Sequence, residues 1–258
     1  MKALKELYAY REMIIGLVRK DLRGRYKGSV LGFLWTFINP LLQLLVYTLV
    51  FSVIMKNGIE KYYIYLFVGL VPWIFFSTSV TGGASCILMS KDMVKKIYFP
   101  REVLPISVVT SGFVNMLFCF VIIFIALFVS GINVRPILLL YLPAIMIVEY
   151  LLALGFALLS SALTVYFRDL EYILGIITMA WMYVTPVLYS VELVPEELRW
   201  ILNINPMTPI IIAFRDILYY KQAPQMETLL QALIVGVVFC IIGHFVFGKL
   251  QKGFVEEM

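Results

Sequence analysis

Charged side chains are scarce in this sequence. Asp, Glu, Lys and Arg make up 14% of its 258 residues, while apolar residues make up 62%. Soluble domains carry about 25% charged residues, so the composition excludes an ordinary soluble fold. The three cysteines all lie inside apolar stretches, which predicts buried thiols and no disulfide framework.

Residues that support catalysis or metal binding are also scarce. The sequence has no glycine-rich loop G-x-x-x-x-G-K-[ST], no H-E-x-x-H or C-x-x-C pair and no G-x-S-x-G elbow. Its one histidine, His244, lies near the end of an apolar stretch, where a packed or interfacial role is usual. We therefore predict no catalytic residue, no metal site and no cofactor in this chain. If the protein is a pump, its ATPase is another polypeptide.

What the sequence has instead is six long stretches without a charged residue. A helix that crosses a membrane needs about 20 apolar residues, because each adds about 1.5 Å across a hydrocarbon core of about 30 Å. The fourth stretch extends back to Pro136 if Glu149 is tolerated inside it. We predict an all-α membrane protein with six transmembrane helices, in one domain that ends in a short cytoplasmic tail. The stretches are residues 33–55, 62–90, 103–134, 150–167, 172–191 and 228–248.

Lys and Arg are concentrated on alternate sides of these stretches. With the N-terminus inside the cell, 15 of the 21 Lys and Arg residues fall on the cytoplasmic side and 6 on the outer side. An excess of basic residues marks the cytoplasmic face, so both termini are predicted inside, at the inner (cytoplasmic) cell membrane. The net charge of +5 then points to a membrane surface and cytoplasmic partners, not to nucleic acid.

Residues 1–32 predict an amphipathic helix at the cytoplasmic interface. Apolar side chains fall within an arc of about 120° on a helix of about 3.6 residues per turn, with Arg11 interrupting the arc. A basic amphipathic helix lies in the plane of the lipid headgroups. It would shape an entry site or dock a partner, or only anchor the first span. The residues of the arc are Leu4, Leu7, Tyr8, Ile14, Ile15, Val18 and Leu22.

The loop between the second and third stretches combines charge with apolar bulk. Residues 91–102 read KDMVKKIYFPRE, and Pro100 restricts Phe99 and should end a helix there. A charged helix with an aromatic knob suits a socket on a soluble partner; an ordinary basic turn is the alternative. Arg168 and Asp169 form a second docking point or a solvated turn.

Residues 192–227 form the only long segment predicted on the outer side. They include an uncharged run of 15 residues, 200–214, which is short for a crossing and is broken by Asn205, Pro206 and Pro209. Such segments are re-entrant or interfacial more often than spanning. Two short helices that dip into the outer leaflet would gate or line a channel mouth, or would form a cap with no gating role.

Six short motifs are informative through their order and spacing. They are RGRYKGS (23–29) followed by Leu31-Gly32 and Trp35, GLVPWIFF (69–76), FPREVLP (99–105), YFRD (166–169), TPVLY (185–189), and NPM (205–207) with Pro209. Together they cover essentially the whole chain. In this order they resemble the permease subunits of the ABC-2 exporters that move surface polysaccharides and polyol phosphates. That family includes O-antigen, capsule and wall teichoic acid exporters.

The resemblance implies a homodimer of six-span subunits that works with two separate ATP-binding subunits, which would hold the ATP and Mg. It implies a polymer on a polyprenyl diphosphate lipid, moved outward across the bilayer. The first cytoplasmic loop would couple the subunits, and residues 192–227 would supply paired gate helices. The expected coupling residues are Lys91, Asp92, Lys95, Lys96, Tyr98, Phe99, Arg101, Arg168 and Asp169, and the expected gate residues are Trp200, Asn205, Pro206 and Pro209.

Aromatic side chains and one carboxylate are candidates for the channel lining. Trp and Tyr gather at membrane interfaces in any case, and Phe is ordinary lipid-facing bulk, so stacking on sugars is one of two interpretations. Glu149 lies near the middle of residues 136–167, where an ionised side chain costs about 2.5–3.5 kcal/mol. It would line the pore, meet the second copy, or be protonated and bonded to a hydroxyl. The candidates are Trp35, Phe37, Trp73, Phe75, Phe76, Trp181, Tyr183, Tyr189 and Glu149.

Other functions fit parts of the sequence. A drug or lipid exporter of the ABC-2 class would share the architecture but not the substrate. A secondary transporter would place several ionisable residues at the midplane, where only Glu149 qualifies. A membrane transferase would need clustered Asp, Glu or His, which the sequence lacks. The polymer is not identified by the sequence, and our interpretation leans to teichoic acid.

Overall fold

A computed structural model of the protein describes residues 2–24, 28–56 and 58–258, with side chains from Glu6 onward. Part of the 23–29 motif and the side chain of Leu4 therefore lie outside the described residues. Within those ranges the chain contains no strand, which confirms the all-α prediction. The α-helices are α1 (Lys2–Ala9), α2 (Arg11–Gly24), α3 (Trp35–Thr48), α4 (Tyr62–Met89), α5 (Lys91–Lys96), α6 (Val103–Val129), α7 (Leu142–Tyr166), α8 (Leu170–Val184), α9 (Arg199–Ile204), α10 (Thr208–Leu218), α11 (Met226–Leu250) and α12 (Phe254–Glu257).

Five continuous helical segments in the described residues are long and apolar enough to cross a membrane, and they confirm five of the six predicted spans. Several include short 3₁₀ or π-helical turns beyond the α-helix proper. They are Gly32–Ile54, Tyr62–Met89, Val103–Val129, Pro136–Tyr166 and Met226–Glu257.

The span predicted over residues 172–191 differs from the expectation. Its helix, α8, has 15 residues, so it rises only about 22 Å. The helix ends because Pro186 disfavours helical backbone at the residue before it, and Thr185 is extended (φ −91°, ψ 136°). Residues 185–189 then continue without helix to the beginning of α4, where Tyr62 Oη donates to the carbonyl of Leu188 at 2.7 Å. A short helix followed by a non-helical segment of turns and bends therefore occupies the predicted span.

Helix α4 lies at the centre of the bundle. It is buried along most of its length and packs against α3, α6, α7, α8 and α10. Small residues allow this close packing: a Cβ on Gly83 of α4 would lie 2.8 Å from Ala157 of α7. A Cβ on Gly155 of α7 would lie 2.5 Å from the α11 backbone at Phe239. Close approach through small residues is the usual way in which membrane helices associate.

Both ends of the chain lie at the same end of the bundle. Leu7 and Tyr10 from the N-terminal helices pack against the cluster that contains Phe99, Phe247 and Phe254. The loop of residues 91–102, called the docking loop below, is therefore a neighbour of the C-terminal helix α12. That this end faces the cytoplasm stays a prediction from the distribution of Lys and Arg.

The N-terminal amphipathic helix differs in detail from the prediction. It is two helices, α1 and α2, with a turn at Tyr10. Tyr8 and Ile15, two residues of the apolar arc, are exposed at 69% and 48%. Helix α2 packs along α6, where the Ser111 hydroxyl donates to the Asp21 carboxylate.

The outer segment leaves and returns at one end of α4. Tyr65 Oη in the first turn of α4 donates to the carbonyl of Tyr189 at 2.9 Å, before the segment begins. Tyr219 Oη, after α10, donates to the carbonyl of Glu60 at 2.5 Å, just before α4 begins. Between these points, the helical stretches Glu196–Ile204 and Thr208–Leu218 meet at 97°.

The vertex of this bend lies deeper in the bundle. Asn205 Oδ1 accepts a 3.0 Å bond from Trp181 Nε1, and the Trp181 ring contacts Trp73 of α4 with the centroids 6.3 Å apart. Trp73 lies about 16 Å along α4 from Tyr62, at about 1.5 Å per residue. The segment therefore descends to the level of Trp73 and returns, which agrees with a re-entrant hairpin and not with a seventh crossing.

We expect single cysteines at Leu198 and Gln222 both to react with a membrane-impermeant thiol reagent added outside intact cells. Both positions are exposed and flank the hairpin. The three native cysteines would be replaced by alanine, and a cysteine at the exposed Met89, at the other end of α4, is the control that should react only in opened cells. Labelling of position 222 only after the cells are opened would mean that the segment crosses.

Candidate transport sites

The loop predicted to dock a partner projects from the end of the bundle that carries both termini. Helix α5 is a single short helix that begins right after α4, and Lys96 and Tyr98 are exposed, Tyr98 at 86%. Phe99 corrects our expectation: it is 5% exposed and packs with Val94 and Val103. Pro100 directs the chain into α6, which turns Phe99 inward as an anchor and leaves Tyr98 as the knob.

The other predicted coupling residues lie on the same face. Lys91, Asp92 and Lys95 are exposed on α5, and Arg101 donates to the carbonyl of Gln251 near the C-terminus. Arg168 and Asp169 are exposed at the end of α7, and Arg168 Nη2 lies 3.4 Å from the carbonyl of Glu257. The structure thus gathers these residues at one end. Their coupling role stays a prediction.

A cavity of about 670 Å³ opens beside this loop. Its wall includes Lys95, Lys96 and Lys252, and it contains a contact that the sequence did not reveal: His244 Nδ1 lies 3.0 Å from Glu102 Oε1. Burial raises the pKa of Glu102, while the nearby His244 acts in the opposite direction. The lone histidine therefore links the end of α11 to the beginning of α6.

The predicted gate residues occupy the re-entrant hairpin. Asn205 is buried at its vertex, where its Nδ2 donates to Thr185 Oγ1 at 2.9 Å and its Oδ1 accepts from the backbone N–H of Met207 at 3.0 Å. Pro209 is buried and Trp200 is exposed. Pro206 lies in the turn between α9 and α10. Asn205 thus holds the bend, while a gating role for the set stays a prediction.

Arg215 is a residue of this hairpin whose role the sequence did not reveal. It is among the six Lys and Arg residues predicted on the outer side, and the residue is 2% exposed. Its guanidinium donates to the carbonyls of Pro186, Val187 (2.6 Å) and Tyr65 (3.3 Å). It also lies over the Tyr65 ring, with 3.6 Å between Cζ and the ring centroid. These hydrogen bonds satisfy the carbonyls of Pro186 and Val187, which have no helical partner because α8 ends at Val184.

Several predicted channel aromatics are packed inside the subunit instead. Trp73 and Phe76 of α4 are 3% and 0% exposed and form a cluster with Trp181, Phe156 and Phe239. Their rings meet mostly edge to face, the favourable geometry for aromatic packing. In this structure these residues hold α4, α7, α8 and α11 together, and the hypothesis that Trp73 and Phe76 line a channel gains no support.

The remaining aromatic candidates differ in exposure. Trp35 and Phe37, at the start of α3, are half-buried, and Trp35 Nε1 donates to Ser29 Oγ at 2.9 Å. Phe75 is buried but contributes to a cleft beside Trp35. Tyr183 is 57% exposed at the end of α8. These positions remain candidates for a channel lining.

Glu149 lies in the interior of the subunit. It is 0% exposed, as expected of a carboxyl group that avoids lipid. Neither carboxyl oxygen has a hydrogen-bond partner among the described residues, so the bonded hydroxyl that we considered is not found. Its role in a channel stays a prediction.

A comparison of the sequence with known protein families identifies the family of this chain. Residues 13–219 match the family described as ABC-2 type transporter, and this range contains the docking loop, α4, α6, α7 and the whole hairpin. The chain belongs to the ABC-2 type transporter family.

Relatives of this ABC-2 chain match it over nearly its full length. The O-antigen export system permease protein RfbA of Myxococcus xanthus is 35% identical, with complete coverage of both chains. A Klebsiella pneumoniae protein of the same name is 33% identical over 95% of this chain and 94% of its own. The capsule polysaccharide export inner-membrane protein CtrC of Neisseria meningitidis is 23% identical over 97% and 95%.

Membership in the ABC-2 family identifies a multi-pass transport subunit, in agreement with the resemblance drawn from the motifs. It also accounts for the absence of a nucleotide loop, because permeases of this kind are membrane subunits of ATP-driven transporters. Docking of an ATP-binding subunit at the exposed end of the bundle around α5 stays a prediction.

We expect Lys96→Glu combined with Tyr98→Ala to weaken binding of the ATP-binding subunit about tenfold, because an exposed Tyr is a common interface anchor and the charge reversal at Lys96 disfavours an acidic partner surface. Binding and ATPase stimulation would be measured in the reconstituted complex. The matched control is Lys221→Glu with Tyr220→Ala, which makes the same exchanges at exposed residues at the opposite end of the subunit. Equal effects of the two double variants would contradict docking at α5.

Proposed function

We propose that this chain is the membrane subunit of an ATP-driven exporter that moves a lipid-linked surface polysaccharide of the O-antigen class from the cytoplasmic side to the outside. The observation that carries the proposal is the end-to-end similarity to O-antigen export permeases. It covers the docking loop, the spans and the outer hairpin together, so the whole transport architecture is shared. A drug or lipid exporter of the same class has no comparable observation in its favour.

The assembly that we propose contains two copies of this chain and two ATP-binding subunits that hold ATP and Mg. The least buried of the long spans is Gly32–Ile54, which leaves most of α3 uncovered by its own chain. Helix α8 likewise exposes Tyr172, Ile176 and Met179. These apolar faces have room for lipid and for a second copy, and a channel between two copies would be lined from α3 and α8.

The polymer that we propose differs from our interpretation of the sequence, which leaned to teichoic acid. The relatives named above export O-antigen or capsule polysaccharide. Identity is higher to the O-antigen permeases, at 35% and 33%, than to the capsule protein, at 23%. We therefore place O-antigen-type polysaccharide first. The polyprenyl diphosphate carrier that we propose is what the resemblance implies.

The arrangement of the sites supports outward transport driven from the cytoplasm. The docking loop is at one end of α4 and the re-entrant hairpin is attached to the other end. A helix of 28 residues spans about 42 Å. It can therefore carry a movement of α5, caused by ATP binding on the partner, to the outer mouth.

Deletion of the gene for this chain should abolish surface polysaccharide and cause lipid-linked polymer to accumulate on the cytoplasmic side. Export fails while synthesis, which needs other enzymes, continues. Surface polymer would be measured on intact cells, and total lipid-linked polymer would be measured after extraction. Restoration by the intact gene is the control. Normal surface polysaccharide in the deletion strain would contradict the proposed substrate, and a lost drug or lipid efflux would favour the alternative exporter.

A further inference from the structure

A polar cleft lies between α3, α4 and α6, outside the docking face and the hairpin. It has a volume of about 100 Å³ and is walled by residues from the middle of α4 and α6. Four polar side chains at the cleft come from Thr36, Asn39, Gln43 and Asn115, all within apolar spans. A fifth, Thr78, donates its hydroxyl to the carbonyl of Ile74 within α4. Since α3 is largely uncovered by its own chain, the cleft is close to the surface of the subunit, on the helix that we place at the channel.

Two polar atoms at this cleft lack partners. Thr36 Oγ1 and Asn115 Oδ1 are buried and have no hydrogen-bond partner among the described residues. A buried polar group without a hydrogen-bond partner destabilises the fold, so a partner from outside the subunit would stabilise these two groups. Beside them, Gln43 Nε2 donates to Asn39 Oδ1 at 3.0 Å. The four side chains form a strip of amides and hydroxyls in surroundings that are otherwise apolar.

Aromatic rings complete the walls. Trp35, half-buried and fixed by its bond to Ser29, lies at the cleft together with Phe75. A sugar ring presents C–H groups on its faces and hydroxyls around its rim, so it matches an aromatic wall beside amides and hydroxyls. An acyl chain would leave Thr36 and Asn115 unpaired. Because no described residue that lines the cleft is charged, it suits a neutral sugar and not a phosphate.

We propose that this cleft is a binding subsite for one neutral sugar unit of the exported polymer. Thr36 and Asn115 bond its hydroxyls, and Trp35 packs against its face. The proposal rests on the proposed function, which it deepens: it gives a place where the chain recognises carbohydrate during passage. A cavity needs about 10–15 Å³ of accessible volume to hold one water molecule. A cleft of about 100 Å³ therefore has room for one sugar ring and not for a longer stretch of polymer.

The test uses the complex with its ATP-binding subunit in lipid nanodiscs, titrated with lipid-linked polymer extracted from the native cells. We expect Asn115→Leu and Thr36→Val each to raise the polymer concentration for half-maximal ATPase stimulation about five- to tenfold, because each removes one hydrogen bond. Maximal ATP turnover should not change. In Thr36→Ser, which keeps the hydroxyl, the polymer concentration for half-maximal stimulation should equal that of wild type. In Trp35→Phe, which keeps an aromatic ring, it should stay close to that value, whereas Trp35→Ala should raise it.

The matched control is Thr48→Val. Thr48 is on the same helix and its Oγ1 is likewise buried without a partner among the described residues, but it does not line the cleft. The subsite would be overturned if the titration curves of Asn115→Leu and Thr36→Val matched those of Thr48→Val and wild type. A loss of dimer with unchanged half-saturation would overturn it too, since the cleft would then be a contact between copies. Absence of any stimulation of the wild type would instead overturn the proposed function, and the subsite with it.

Discussion

A chain that bends inside a bilayer must bond its freed backbone groups within the protein, since lipid offers no partner. In this subunit that requirement falls on Arg215. Helix α8 ends at Val184 before it has crossed a full hydrocarbon core, and the carbonyls of Pro186 and Val187 receive hydrogen bonds from the buried guanidinium. An arginine suits this position because its several donors lie in one plane and its face stacks on Tyr65. Gly69 leaves the space: a Cβ there would lie 2.9 Å from Arg215 Nη2.

Much of the transport architecture depends on this arrangement. Arg215 fastens α10 to both α4 and the end of α8, and Asn205 fastens the vertex of the hairpin to Trp181 and Thr185. The outer hairpin is thereby attached to the central helix and is not a loose loop. The same helix leads directly into α5 at the docking face. One helix thus connects the predicted docking face with the hairpin at the other end of the subunit.

The sequence predicted the features that depend on local composition. Charge-free stretches revealed five spans, and Asn205 with its neighbouring prolines revealed the bend in the hairpin. Features that depend on distant contacts were missed. Arg215 looked like a loop charge because its acceptors lie 150 and 28–29 residues away, and His244 looked solitary because Glu102 is on another helix. Phe99 looked like part of an exposed knob because nothing local shows that Pro100 turns it inward. Trp73 and Phe76 looked like channel residues because apolar spans give no sign of which face is inside.

The central claim is that Arg215 holds the outer hairpin on the bundle. Hydrogen–deuterium exchange tests it most directly, on the complex in nanodiscs, with Arg215→Met compared against Arg199→Met. Arg199 is in the same segment, but its side chain is 44% exposed. The account predicts faster exchange over residues 187–189 and 205–219 in Arg215→Met, unchanged exchange in the middle of α4 and α6, and a wild-type pattern in Arg199→Met. Wild-type protection of the hairpin in Arg215→Met would contradict it.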